Sequence, residues 1–269
     1  MYLEFYGLRE FPFNITPDPR FLYYTPGHKE AYMHIMYGIQ QRKGFIELTG
    51  EVGCGKTTLC RAVLAELGSS VETALVLNPQ LTGTQLIRAI LQDFGLTVKG
   101  RDRLTFIDQL NQFLLSKYRD NINVALIIDE AQNLSPELME QVRLLSNLET
   151  DQHKLLQMVL CGQPELKKRL ERPDLRQLRQ RITVRYHIHP LTEEETMLYI
   201  QHRLWVAGAN GGLVFDPKAV REVYKYSKGT PRVINNLCDN SLLAGFVRDV
   251  RLVDVKCVRR AVAQLEGKT

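Results

Sequence analysis

The 269-residue sequence predicts an α/β domain built on a parallel sheet, followed by a smaller all-helical domain. Three observations carry that expectation. Short apolar runs alternate with helix-like stretches as far as Pro190, a pattern that reads as a parallel sheet covered by helices on both faces. A glycine-rich run, Gly50-Glu51-Val52-Gly53-Cys54-Gly55-Lys56-Thr57, falls between one such strand and the helix after it. Beyond Pro190 helix signals continue, and the one strand-like run left is 213–215.

The first forty residues are rich in aromatics and prolines: Phe11-Pro12-Phe13, Thr16-Pro17-Asp18-Pro19 and Tyr23-Tyr24-Thr25-Pro26. The prolines exclude a helix interior there, and the aromatics imply an extended segment packed on a domain. A helix is expected over 28–41, then a strand at 45–48, a helix over 56–67 and a strand at 74–77. Helices over 84–94 and 104–118 precede a strand at 124–128. A helix over 136–148 and strands at 156–161 and 182–187 complete the domain. Thr192 with Glu195 forms a capping-box pattern that opens a helix to about Val206. Further helices start at Asp216-Pro217 and at Pro231, and a last one covers 253–265. The expected organisation is an N-terminal segment and helix (1–43) packed on the core, an α/β core (44–190) and a helical domain (191–269).

Composition narrows the class. Thirty-five Lys and Arg against thirty Asp and Glu leave a net charge of +5, with 44% apolar and 24% charged residues. These values match soluble globular proteins and exclude a disordered chain, a collagen-like repeat and a disulfide scaffold. The longest apolar runs, 124–128 and 158–161, fall far short of the roughly 20 residues that span a bilayer. The N-terminus lacks the basic start and apolar block of a signal peptide. The five cysteines form no C-x-x-C pair, so reduced thiols are expected. The expected location is the cytoplasm.

The run from Gly50 to Thr57 matches G-x-x-x-x-G-K-T. Glycines let backbone N–H groups turn inward around β- and γ-phosphates, and the helix N-terminus adds partial positive charge. Lys56 is expected on the β/γ oxygens and the Thr57 hydroxyl on Mg²⁺, with Thr58 closing the cradle. Cys54 is read as a spectator, with oxidation sensitivity as the alternative. The strand at 124–128 ends in Asp129-Glu130, delivering two carboxylates to the strand end where such sheets bind ligands. Asp129 would hold Mg²⁺ through water, and Glu130 would polarise the attacking water. Guanine-reading N-K-x-D and T-K-x-D elements are absent, so the expected nucleotide is ATP.

With these motifs the sequence resembles the AAA+ ATPases, oligomeric P-loop machines with an α/β core and a helical lid. Leu178-Arg179-Gln180-Arg181 looks like the box that carries the arginine finger in clamp loaders and initiator ATPases. The resemblance assigns the finger to Arg181, with Arg176 and Arg179 as alternatives, reaching ATP held by a neighbouring subunit. Gly229-Thr230-Pro231-Arg232 looks like the sensor-2 motif, with Arg232 touching nucleotide in cis. Gln163 falls at sensor 1, where the family more often has Asn, Thr or Ser. Asn78 sits where a polar residue restrains the catalytic glutamate. His187 and His189 alternate like metal ligands, but no third ligand accompanies them, and they read as a partly exposed strand face.

A narrower resemblance covers nearly the whole chain. Phe5-Tyr6-Gly7-Leu8, Phe11-Pro12-Phe13, Pro17-Asp18-Pro19-Arg20-Phe21-Leu22-Tyr23, Gly44-Phe45 through Thr58, Ile128-Asp129-Glu130-Ala131-Gln132-Asn133-Leu134 and Cys161-Gly162-Gln163-Pro164-Glu165-Leu166 are similar to one bacterial subfamily. It holds the general secretion pathway protein A ATPases, the pilus-biogenesis ATPases of the mannose-sensitive haemagglutinin type, and ATPases of exopolysaccharide or exosortase loci. The resemblance implies a homo-oligomeric ATPase that assists assembly of an envelope machine through an envelope or membrane partner, at which it would sit peripherally on the inner membrane. Longer members continue into a transmembrane helix and a peptidoglycan-binding domain, so this sequence is expected to be a short form or a cytoplasmic fragment.

The alternative function is a DNA-binding regulator of the transposition-ATPase type, which shares these motifs. Its candidate contacts are Lys167, Lys168, Arg169 and Arg172, with Arg248, Arg251, Lys256, Arg259 and Arg260. Residues 165–185 hold eight basic and three acidic side chains, which equals the whole surplus charge. The same stretch carries the finger candidates, so its charge points first to a neighbour's ATP.

Overall fold

The computed structural model of the chain describes residues 2–77, 81–150, 153–209 and 214–268. It divides into two compact units. One comprises Gly27–Gly50 and Leu59–Ile188; the other comprises the residues up to Pro26, Glu51–Thr58 and those from His189 on. Along the chain, α1 (Tyr2–Tyr6) and α2 (Pro26–Gln40) precede β1 (Phe45–Gly50), α3 (Lys56–Leu67) and β2 (Val71–Val76). Next come α4 (Gly83–Asp93), α5 (Arg103–Arg119), β3 (Asn123–Ile128), α6 (Pro136–Leu145) and β4 (Gln157–Gly162). After α7 (Pro164–Leu170), α8 (Arg176–Arg181) and β5 (Ile182–Ile188), the chain continues through α9 (Glu193–Val206), α10 (Pro217–Ser227), α11 (Pro231–Val247) and α12 (Val255–Leu265).

The strands form one sheet in the order β2-β3-β4-β1-β5, and every neighbouring pair is parallel. The α/β expectation therefore holds. β1 and β4 are buried along their whole length, and β3 from Val124 onward. A strand covered on both faces has no solvent side to fill with polar residues, which is why Val124 to Ile128 read as an unbroken apolar run. The edge strands differ. In β5, Ile182 and Val184 point inward while Thr183 and Arg185 are exposed, the period of two expected of a half-covered strand. Glu47 of β1 is buried, and Arg185 Nε donates to its carboxylate at 3.1 Å. Burial pushes the Glu47 carboxyl above its usual range, and the guanidinium pulls it back.

Helices cover the two faces. Ile87 and Ile90 of α4, Leu110 and Leu114 of α5 and Val142 of α6 share a core with Leu126 and Ile128 of β3 and Met158 and Leu160 of β4. Burying each such side chain is worth about 1.5–3 kcal/mol. The alternate residues Ala125, Ile127, Val159 and Cys161 are equally buried and so face the other side. There α2 lies so close to the sheet that a Cβ on Gly38 would sit 2.5 Å from Ile46 Cδ1. The Asn123 amide also donates to the Ile39 carbonyl.

The helical unit has its own core, drawn from α9 to α12. The capping box at its start is formed: Thr192 Oγ1 accepts from the Glu195 N–H at 3.2 Å, and Glu195 accepts from the Thr192 N–H at 2.9 Å. The strand-like run expected at 213–215 begins at Leu213, outside the described residues, while Phe215 forms an isolated bridge to Val253. Among the described residues no helix is long and apolar enough to cross a membrane.

One expectation needs correction. Residues 1–43 are expected to pack on the α/β core; α2 does so from Gly27 on, but the residues before it do not, since Tyr2, Leu8, Phe13 and Phe21 belong to the core of the helical unit. The cause is a set of long-range contacts centred on Arg203 of α9. Its buried guanidinium donates to the carbonyl oxygens of Pro12 and, at 3.0 Å, Asn14. It also donates to the Tyr199 hydroxyl at 2.9 Å and lies 4.8 Å from the Phe21 ring centroid. The Tyr199 hydroxyl in turn donates to Asn235 Oδ1 at 2.8 Å. Arg9 N–H donates to Ala207 O at 2.8 Å, and Tyr6 OH donates to Val250 O at 3.1 Å. A proline-rich segment cannot satisfy its own carbonyls in a helix, so one arginine does it from the side.

Replacing that arginine tests the account. Arg203→Met keeps the apolar stem but leaves the Pro12 and Asn14 carbonyls without donors, and should lower stability by about 3 kcal/mol. Thermal unfolding measures the loss, and limited proteolysis should begin to cut within residues 12–24. An unchanged melting temperature would refute the stapling role.

Candidate functional site

In the helical unit, the loop that links β1 to α3 is wound on two glycines with positive φ, Gly53 at +80° and Gly55 at +89°. Cys54 N–H donates to Glu51 O at 3.2 Å, closing the turn. Lys56, only 6% exposed, reaches back and donates from Nζ to the same carbonyl at 2.9 Å. The loop thus folds around its own lysine, while Glu51 and Val52 stay exposed.

The loop rests on the start of α11. The Arg232 N–H donates to Gly53 O at 3.3 Å. A Cβ on Gly53 would lie 2.7 Å from Arg232 Cβ and 3.4 Å from Thr230 Cγ2, so this glycine is required by both its φ and the close approach. Gly229 has a parallel role. Its φ is +76°, it accepts from Leu191 N–H at 2.9 Å, and a Cβ there would fall 1.9 Å from Leu191 O. Within Gly229-Thr230-Pro231-Arg232 the glycine lets the chain pass Leu191, and Pro231 opens α11 with its φ already set. The backbone and Cβ of Arg232 therefore stand against the loop.

In the sheet unit, Asp129 follows β3 directly, is 3% exposed and continues the ladder by donating its N–H to Val76 O at 2.9 Å. Its Oδ1 accepts from the Glu130 N–H at 2.9 Å. Glu130 takes a left-handed conformation, φ +51° and ψ +36°, which costs a residue with a Cβ on the order of 1 kcal/mol. That turn aims its side chain at the residue after β4. Glu130 Oε2 accepts from Gln163 Nε2 at 3.1 Å and from Gln132 Nε2 at 2.5 Å. Gln132 Oε1 accepts from the Gln163 N–H at 3.0 Å. The Arg169 guanidinium donates to the Gln132 carbonyl. Gly162 leaves room for this, since a Cβ there would meet Gln132 Oε1 at 2.8 Å.

The structure thus joins Glu130 to Gln163, two residues singled out in the sequence, through a third that was not. Gln132 was quoted only within a family phrase. Its signal was an amide two residues beyond a carboxylate at the end of a buried strand. Arg181, the finger candidate, is half-buried and donates to Ser146 Oγ and, at 2.8 Å, to Asn147 Oδ1. Arg176 and Arg179 of the same helix are exposed. Asn78 lies outside the described residues. His187 meets Thr49 Oγ1 through Nδ1 at 3.0 Å. Among the described residues no group of three or more His, Cys, Asp or Glu could hold a metal. The donors expected for Mg²⁺, the Thr57 hydroxyl and the Asp129 carboxylate, are oxygen ligands of the kind it takes together with substrate phosphates.

Comparison with known proteins bears on this arrangement. The family model of an AAA domain matches residues 39–170. General secretion pathway protein A of Aeromonas hydrophila is 46% identical over 249 residues, 92% of this chain, and the chain spans 45% of that protein's length. Among solved structures, Cdc6p from Pyrobaculum aerophilum is similar with a TM-score of 0.71 at 16% identity, covering 94% of this chain and 70% of that one. ORC1 of Aeropyrum pernix in complex with DNA gives 0.68 at 18% identity, covering 94% and 68%. The RuvB Holliday junction branch migration motor of Thermotoga maritima gives 0.61 at 17%, covering 89% and 69%. At these identities the structural likeness is one of fold.

The surroundings of Cys54 bear on its reading as a spectator. It is 1% exposed, and burial pushes its thiol above the usual range, which keeps it protonated and poorly reactive. The native protein at pH 8 should leave Cys54 unlabelled by iodoacetamide, and denaturant should expose it. Peptide mass spectrometry reads the outcome, and rapid native labelling would restore the oxidation-sensitive reading.

Proposed function

The chain belongs to the AAA+ ATPases of the general secretion pathway protein A type, and on that premise we propose that it hydrolyses MgATP as a homo-oligomer. Its proposed task is to assist assembly of a bacterial envelope machine from the cytoplasmic side, through an envelope or membrane partner. The observation that carries the ATPase reading is the glycine-wound loop, seated at Gly53 on the N–H of Arg232 with Lys56 folded across it. Phosphate oxygens would take the place of the Glu51 carbonyl on the Lys56 ammonium, and the α3 N-terminus favours their charge. Thr57 and Asp129 would hold Mg²⁺, which neutralises charge on the phosphates when bound. Arg232 would lie against the same nucleotide. Glu130 would orient and deprotonate the attacking water, with Gln163 beside it.

The finger is assigned to α8. Arg181 is committed to Ser146 and Asn147 within its own chain, while Arg176 and Arg179 are exposed five and two residues earlier. Arg181 acts in this reading only if a neighbour's γ-phosphate outcompetes those two neutral acceptors, which a charge-assisted bond can do. The DNA-binding alternative gains no specific observation. Arg248 and Arg259, two of its candidates, form ion pairs with Asp254 and Glu222.

Three variants and EDTA separate the roles. Lys56→Ala should abolish binding of a fluorescent ATP analogue. Glu130→Gln should bind it normally and turn over ATP at least about 100-fold more slowly. Arg181→Ala should bind, lose turnover, and regain part of it when mixed with Lys56→Ala protein; excess EDTA should silence the wild type. Undiminished hydrolysis by Glu130→Gln would refute the base assignment. Specific activity that does not change down to monomeric dilution would refute the shared site.

A further inference from the structure

We infer that Gln132 is a positioning residue that holds the Glu130 carboxylate in its working orientation and ties it to Gln163. The inference rests on the reading of Glu130 as the base. Gln132 sits in the short turn after β3 and is 9% exposed. Both ends of its amide are engaged. Its Oε1 accepts from the Gln163 backbone N–H at 3.0 Å, and its Nε2 donates to Glu130 Oε2 at 2.5 Å. A backbone N–H can only donate, so the carbonyl end must face Gln163 and the NH₂ end must face Glu130. The amide has one orientation, and the carboxylate receives a donor, never an acceptor.

The other contacts fix Gln132 itself. Arg169 of α7 donates to its backbone carbonyl, and the bare Cα of Gly162 gives its side chain space. The amide is therefore a rigid strut between the end of β4 and the carboxylate beyond β3. Glu130 needs such a strut. Its backbone is in the left-handed region, and its side chain has three rotatable bonds whose free rotation disperses the base over many orientations. Gln163 Nε2 supplies a second donor at 3.1 Å, whereas Gln132 is held at both ends of its amide. Misplacing a reacting group by a fraction of an ångström is enough to cost rate.

The test uses the full chain. Gln132→Met keeps the length and volume and removes both hydrogen-bonding ends. It should lower kcat about tenfold while the affinity for a fluorescent ATP analogue stays within twofold. Introduced into Glu130→Gln, the same change should have no further effect on the residual rate, because the group it positions is gone. An unchanged kcat, or an equal loss in the Glu130→Gln background, would overturn the inference and make Gln132 a packing residue. Gln132→Glu covers the case in which the methionine variant does not fold. It keeps an acceptor for Gln163 N–H but sets a like charge against Glu130, and should lose more activity than the methionine with affinity still intact. Turnover by Glu130→Gln at the wild-type rate would remove the base assignment, and this inference with it, whereas the first two outcomes remove this inference alone.

Discussion

The arrangement of the sheet unit depends on three parallel strands with no exposed backbone edge among them. β3, β4 and β1 lie side by side at the centre of the sheet, and each must pair its N–H and C=O groups with both neighbours because none can reach water. Parallel pairing needs a crossover for every connection, so all strands end at one edge of the sheet. The register then sets the heights. Ile128 pairs with Leu160, and Thr49 with Gly162, so the residues leaving β3 and β4 emerge within two positions of each other. β1 connects toward β2 on one side, whereas β4 connects toward β5 on the other. The crevice between β1 and β4 is the switch point where open α/β sheets bind ligands. Beside it, Glu130 and Gln163 meet at the ends of the neighbouring strands β3 and β4, where the ladder sets them side by side.

The chain pays for that meeting in backbone conformation. A residue with a Cβ turns left-handed at Glu130, and such conformations persist where the surroundings over-determine them. Here the determinants are visible: the buried strand behind, the Asp129 carboxylate on the Glu130 N–H, and two amides on the side chain. In the helical unit, Gly53 and Gly229 solve a different problem. They admit positive φ where a side chain would also collide with a neighbouring backbone or Cβ. Strain is tolerated at the carboxylate because no glycine can supply one.

Local pattern carried most of the fold. The unbroken apolar run of β3, the Thr192–Glu195 capping box and the glycine-lysine loop each encode structure within a few residues, and each has its counterpart in the molecule. β2 begins at Val71, ahead of the expected Ala74, because Glu72 and Thr73 sit on an edge strand where polar residues are tolerated. What the sequence hid is what depends on distant partners. Arg203 meets Pro12 and Asn14 across some 190 residues, and no pattern near either end announces it. The helix α7 was hidden by its brevity and the basic residues on its exposed face. Gln132 was hidden because a single glutamine in a turn is ordinarily a solvated residue; only the neighbouring strand end gives its amide two fixed partners.

The basic stretch between Glu165 and Arg185 acquires a different meaning once its contacts are assigned. Arg169 serves the Gln132 carbonyl, Arg181 serves Ser146 and Asn147, and Arg185 serves Glu47. Arg172 pairs with Asp174. Several of these side chains thus hold the turn after β3, the end of α6 and the edge of the sheet. What the stretch leaves exposed on α8 is a pair, Arg176 and Arg179, spaced three residues apart and therefore on one face of the helix. Two neighbouring guanidinium groups on a short helix, anchored at Leu178 in the sheet unit's core, present a compact positive point.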